Sequence, residues 1–412
     1  MSAGRPARGG GAPGSLERRL GPVALVLYGL GTTVGAGIYA LTGEVARVAG
    51  AWAFASFALA ALLAGASAAS FAALSARFPR AAAEAVFVRE AFARPRLATA
   101  VGLAMVGTAS LSAATVGNAF VGYLGEIVAV PRAPALVALV AALAGLAAWG
   151  VRESVAAASI VTVVEVAGLA LVVAAAAPEA IARAGAPGAF DLAALPAGAG
   201  GVFAGAFLAF YAFLGFEDMV NVAEEVRDAP RVVPRAIAAT LAATLAIYAA
   251  VALCAVLVVP PAELAASEAP LALVLEQSGG DPRWLGAIGV VAMLNGALIQ
   301  IIMASRVLFG LARDGEIPAV FGRVARRTRT PVVATGAVAV AVATLALAFP
   351  LARLAEATSL VTLAVFAVVD AAAIRLRAGR EPGDPLRIPR ALPWIGLVSS
   401  AGFLVARLVL AV

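Results

Sequence analysis

The chain has 412 residues, 63% of them hydrophobic and 13% charged, with a mean hydropathy of +0.99. A soluble domain is nearer half apolar and a quarter charged, so the composition excludes a soluble globular protein and indicates a polytopic membrane protein. The lack of histidine and the single cysteine, Cys254, exclude imidazole metal sites, histidine triads and an internal disulfide.

The 30 basic residues, all arginine, raise the pI to about 10.3. They lie between apolar stretches and form no groove-like patch interleaved with aromatics, so no nucleic-acid partner is expected. Residues 1–20, rich in Gly, Pro and Arg, read as a disordered cytoplasmic tail. No small-residue cleavage site follows a short apolar core, so the first span reads as a retained helix, not a signal peptide.

A spanning helix needs about 20 apolar residues. Eleven stretches qualify, near 22–46, 50–76, 97–125, 134–151, 154–176, 199–225, 235–259, 284–312, 331–349, 354–374 and 391–411. The expected fold is therefore all-α, with about eleven transmembrane helices. With the N-terminus inside, cytoplasmic pieces carry 24 arginines and external pieces six, Arg47, Arg132, Arg183, Arg283, Arg353 and Arg407. That bias sets the direction of the first span.

Two spans contain glycine-broken segments, Gly29 to Tyr39 in the first and Phe207 to Glu217 in the sixth. Unwound backbone at that depth is tolerated only where protein or a water-lined cavity satisfies the freed N–H and C=O groups. Five spans apart, the two breaks run in opposite directions, which is the mark of an inverted repeat. The expected division is residues 21–176 as the first repeat, 199–377 as the second, and 391–412 as an additional eleventh span.

In the first break, Gly35, Ala36 and Gly37 would present backbone N–H groups to an anionic substrate group at the start of a half-helix. Gly29 and Gly43 read instead as close helix packing. In the sixth span, a break around Leu214 and Gly215 would free main-chain carbonyls. Glu217 and Asp218 then sit in the first turn of the restarted helix, where its dipole favours carboxylates. Glu165 lies about 16 Å into the fifth span at 1.5 Å per residue. An ionisable group at that depth is a functional candidate, and burial favours its neutral, protonated form. Asn295 is the nearest polar residue on the eighth span. Asp370 and Arg306 lie near inner span ends and are expected to snorkel to the interface in structural roles.

Four motifs in order resemble the amino acid–polyamine–organocation superfamily of permeases, over roughly residues 20–412. They are Gly35-Ala36-Gly37-Ile38-Tyr39 with Leu41-Thr42-Gly43, and Arg77-Phe78-Pro79-Arg80-Ala81. The third is Phe210 to Glu217 with Ala223-Glu224-Glu225-Val226-Arg227, Pro230 and Pro234-Arg235. The last is Ala304-Ser305-Arg306 with Ala312-Arg313-Asp314-Gly315 and Arg329-Thr330-Pro331. The resemblance implies that carbonyls of Thr33, Val34, Tyr211, Ala212 and Leu214 hold a substrate ammonium, that Tyr211 is an outer gate, and that Phe213 and Gly215 belong to the same site. It also places Glu165 where some proton-coupled members carry a lysine. Two departures are Ala36, where members commonly have serine or threonine, and eleven spans where many have twelve.

The function expected from this resemblance is secondary active transport of an α-amino acid across the cytoplasmic membrane by alternating access, as proton symport. Glu165 and Asn295 are the coupling candidates. Amino acid exchange, Na⁺ coupling at Glu165, or a non-transporting sensor of the same fold are the alternatives. No cofactor or metal is expected, and the partners are the amino acid, the coupling ion and membrane lipid. Without histidine, a P-loop or paired intramembrane aspartates, an enzyme is not expected.

Overall fold

The structure is a computed structural model that describes residues 20–79, 83–149, 155–185, 198–221, 223, 226–325, 328, 330–378 and 388–410. The disordered tail expected for 1–20 lies outside these residues except for Leu20. Motif residues Arg80, Ala81, Glu224, Glu225 and Arg329 also lie outside them.

The helices in chain order are α1 (Pro22–Thr33), α2 (Ala36–Ala49), α3 (Ala53–Arg77), α4 (Ala83–Phe92), α5 (Pro95–Gly125), α6 (Arg132–Trp149), α7 (Val155–Ala184) and α8 (Gly198–Phe210). They continue as α9 (Asp218–Asn221), α10 (Ala229–Val258), α11 (Pro261–Ala266), α12 (Pro270–Gln277), α13 (Pro282–Arg313), α14 (Val332–Ala348), α15 (Leu351–Ala378) and α16 (Ala391–Leu410). Among the described residues the only β pairing is an isolated bridge. The first span is α1 plus α2 and the sixth is α8 plus α9; α3, α5, α6, α7, α10, α13, α14, α15 and α16 supply the other nine. Proline sits in the first turn of α1, α5, α10 and α13, where its missing N–H costs no helical hydrogen bond.

Three further helices lie outside the expected spans. Helix α4 lies between the second and third spans, and α11 and α12 lie between the seventh and eighth. The fifth span also runs past its expected end at 176, through Pro178, to Ala184.

The two broken spans lie side by side and antiparallel. Leu20 bridges to Val226. Gly29 packs on Met219, Thr32 bonds to Gly215, Gly37 packs on Ala212, and Gly205 packs on Ala49. As the number rises along one span it falls along the other, so the pair has opposite directions over its whole length, as an inverted repeat requires. Small residues allow this close approach, since apolar side chains gain nothing from leaving lipid for one another and association rests on packing. Gly29 and Gly43 do pack as expected, Gly43 against the main chain of Leu264.

An aromatic cluster fills the space between α3, α4, α15 and the sixth span. Phe366 lies 4.8 Å from Phe71, 5.4 Å from Phe216 and 5.8 Å from Phe210, ring centre to ring centre. Phe71 also packs on Phe87, and edge-on contacts of this kind favour such pairs beyond their buried area.

Candidate substrate site at the paired helix breaks

Helix α1 ends at Thr33. Val34 N still donates to Leu30 O at 2.6 Å, but Gly35 N turns back to Thr33 O at 3.0 Å and Gly35 is extended, with φ −130° and ψ −143°. Ala36 then starts α2. The first-turn N–H groups of α2 have no intrahelical acceptor, so the positive end of a half-helix opens onto the break.

The sixth span breaks opposite. After α8 a single 3₁₀ turn, Tyr211–Phe213, leads into extended Leu214, and Leu214 N donates to Tyr211 O at 3.2 Å. Gly215 has φ +122°, a conformation that glycine adopts without steric cost. Its N–H donates to Glu217 Oε2 at 2.8 Å, so Glu217 satisfies backbone freed by the break. A Cβ at Gly215 would run into the main chain of Thr32 and Thr33. One at Gly37 would lie 2.5 Å from Ala212 Cα. The two breaks therefore touch backbone to backbone.

Two hydroxyls, one on the first span itself and one from the seventh, hold them in register. Thr32 Oγ donates to Gly215 O at 2.9 Å and to Gly29 O at 3.1 Å. The Tyr248 hydroxyl, from α10, donates to Thr33 O at 2.7 Å and Ala212 O at 3.0 Å. One phenolic proton serves both carbonyls, so one of the two always keeps spare acceptor capacity. Thr33 Oγ is buried with no partner. The Tyr211 hydroxyl lies 3.1 Å from Ser112 Oγ, which ties the expected gate residue to the third span. Phe213 is wholly buried, its ring 5.2 Å from Tyr248.

The structure therefore gathers Thr33, Val34, Gly35, Ala36 and Gly37 around Tyr211, Ala212, Phe213, Leu214 and Gly215. All are buried except half-buried Gly35 and Leu214, and Ala36, which is placed only through its backbone. Glu165 stands beside this pair. It is 1% exposed, and neither carboxyl oxygen has a hydrogen-bond partner among the described residues. Tyr39, from α2, donates to the Glu165 main-chain oxygen at 2.9 Å, and Tyr123 donates to Tyr39 O at 2.7 Å. Thr162, one turn before Glu165, donates to Leu27 O in α1 at 3.2 Å. Asn295 Nδ2 is also unpartnered, and no hydrogen bond joins it to Glu165.

Tyr248, Thr32 and Ser112 belong to the site and escape a reading of the breaks alone. Thr240, Thr244 and Tyr248 recur every fourth residue along an otherwise apolar helix, and that polar stripe is the signal in the sequence. Thr240 and Thr244 are wholly buried and their hydroxyls have no partner. Asp370 does not snorkel as expected: it is wholly buried and accepts from Ser67 Oγ at 2.8 Å.

Comparison with known proteins agrees with this architecture. The family model described as amino acid permease matches residues 20–412. The branched-chain amino acid permease BcaP of Bacillus subtilis is 29% identical, over 90% of this chain and 83% of its own. An uncharacterized transporter of Mycobacterium tuberculosis is 33% identical over 94% of this chain and 85% of its own. The vacuolar cationic amino acid transporter 4 of Arabidopsis thaliana is 30% identical over 91% of this chain, which spans 66% of that relative's length. An apolar bundle of eleven helical spans, an antiparallel pair of broken helices and a family match over nearly the whole length agree: the chain belongs to the amino acid permeases of the amino acid–polyamine–organocation superfamily.

Proposed function

We propose that this permease carries an α-amino acid across the cytoplasmic membrane by alternating access, driven by a proton gradient, with its N-terminus in the cytoplasm. The first repeat, residues 21–176, rocks against the second, 199–377, and the span in 391–412 lies outside the exchange of states. The observation that carries this reading is the contact of the two breaks. The N-terminal amides of α2 suit a carboxylate, and carbonyls around Thr33, Val34, Tyr211, Ala212 and Leu214 suit an ammonium. Both charges lie on every α-amino acid, so the backbone reads the shared part of the substrate and side chains read the rest.

Glu217, the carboxylate nearest the second break, is engaged with Gly215 N. Ala212, Phe213 and Val34 add only apolar side chains to the breaks, which favours an apolar substrate side chain, in keeping with the branched-chain permease among the relatives. Glu165 supports proton coupling, because a buried carboxyl with no donor and no cation in contact among the described residues is stable in its protonated form.

The test is uptake of a labelled amino-acid panel into proteoliposomes. Saturable, stereoselective accumulation driven by an inward proton gradient is expected. Uptake that follows a Na⁺ gradient, or that requires amino acid on the far side, transfers the assignment to a Na⁺ symporter or an exchanger. Binding without accumulation identifies a sensor.

A further inference from the structure

A second buried carboxyl lies away from the helix breaks, where α15 meets α3 and α16. Asp370 is wholly buried, and its Oδ2 accepts from Ser67 Oγ at 2.8 Å. Ser67 Oγ is 3.2 Å from Ser400 Oγ, so the two hydroxyls form a short chain ending on the carboxyl. Oδ1 receives no donor among the described residues. Ser70, one turn beyond Ser67 on α3, is also buried with its hydroxyl unpartnered.

No described basic group neutralises Asp370. On its own helix, Arg375 donates to Ala91 O and Arg377 to Ile388 O. Arg77, at the end of α3, donates to Leu376 O. Arg407 of α16 pairs with Glu356 of α15, nearer the opposite end. From the other packed elements, α4 brings Glu84, Arg89 and Glu90, with Arg89 paired to Glu316. Helix α5 brings Arg96 in its first turn and Tyr123 in its last, the 3₁₀ turn brings Tyr211, and α8 and α14 carry no charged residue.

A cation has no room here. The oxygens are spaced for hydrogen bonds, and the backbone of Gly396 closes on the carboxyl so tightly that a Cβ there would lie 2.6 Å from Oδ2. A proton fits: on Oδ1 it neutralises the carboxyl where no described basic group does, and Ser67 Oγ still donates to Oδ2.

We propose that Asp370 is a proton-binding site whose neutral form clasps α15 and α16 to α3, and that loss of its proton loosens the packing on the sixth-span break. The mechanical route is short. Phe366 lies one turn before Asp370 on α15, and Phe71 lies one turn beyond Ser67 on α3. Their rings, 4.8 Å apart, pack on Phe210 and Phe216, which flank the turn from Tyr211 to Gly215. An ionised Asp370 draws water or a counter-ion into the three-helix contact and spreads the helices that carry those rings. This site is separate from Glu165 and acts as a pH sensor on the transport cycle, whatever ion drives the cycle.

Infrared spectroscopy of the purified full chain tests the proton directly. In a Glu165→Gln background, the carboxylic-acid C=O band seen in acid buffer should lose one component when Asp370→Asn is added. An unchanged band from a monodisperse double variant overturns the site, and this readout does not depend on which solute is carried.

The sensor role is tested by substrate counterflow at equal pH on both sides of the vesicle. Wild-type rates should fall on the alkaline side by roughly tenfold per pH unit, the slope of a single titration. Asp370→Asn, which mimics the neutral acid, should match wild type in acid and remove that fall. Ser67→Ala, which withdraws a donor from the charged form, should move the fall to higher pH. A wild-type rate that is flat with pH, or an Asp370→Asn profile that tracks wild type, overturns the sensor.

Discussion

The Tyr248 hydroxyl donates to the main-chain oxygen of Thr33 across 2.7 Å, and so fastens the seventh span to the point where the first one unwinds. The same hydroxyl reaches Ala212 O at 3.0 Å, so a side chain outside both broken spans sets the distance between them. Tyr248→Phe keeps the ring packing on Phe57 and Phe213 but removes the side-chain donor to Ala212 O and one of the two donors to Thr33 O. A stranded buried acceptor costs about 1–3 kcal/mol. Substrate affinity should fall by roughly tenfold, since 1.4 kcal/mol is a factor of ten. Equilibrium binding of the labelled substrate measures this; affinity equal to wild type would show that the bond does not shape the site.

Gly215→Ala should abolish transport while leaving insertion intact. The residue has φ +122°, and a Cβ would strike the chain of Thr32 and Thr33, so the two breaks must part. The control is Gly145→Ala in α6, where a Cβ meets nothing within 4 Å. The same chemical change there should leave uptake within error of wild type.

Gly37→Leu should eliminate substrate binding, and Gly37→Ala should weaken it. Even one methyl at this position meets Ala212 Cβ at 2.7 Å, and a leucine also fills the space in front of the α2 amides. Surface expression and monodispersity separate loss of binding from loss of fold. Retained affinity in Gly37→Leu would remove the first break from the substrate site.

Glu165→Gln tests coupling. Glutamine has nearly the same volume and cannot release a proton, so accumulation should cease to respond to an imposed proton gradient. Exchange of substrate at equal pH should persist at near wild-type rate, because the breaks themselves are unchanged. Proton-driven accumulation that survives the substitution would exclude Glu165 as the carrier.

Much of the fold is legible along the chain, because lipid forces each span to satisfy its own backbone and to look apolar for about 20 residues. The breaks are legible for the same reason: Gly35 to Gly37 and Leu214-Gly215 interrupt stretches that must otherwise be continuous helix. Tyr248 is not legible as a partner of Thr33 and Ala212, since nothing local says which way a helical face turns. Asp370 misleads for a related reason. Its distance from Arg375 and Arg377 suggests a side chain reaching for the interface, whereas Ser67, more than three hundred positions away, supplies its bond.

The sequence alone determined the count of spans, the positions of the two interruptions and the family motifs, because these follow from local composition and from hydrogen bonds that each segment makes with itself. Only the tertiary structure decided that the interruptions touch backbone to backbone, that Thr32 and Tyr248 hold them together, and that Asp370 forms a cluster with Ser67 and Ser400. Those relations depend on how helices rotate and slide against one another. That is set by the fit of small residues such as Gly37 and Gly396 across an interface, and no single segment contains it.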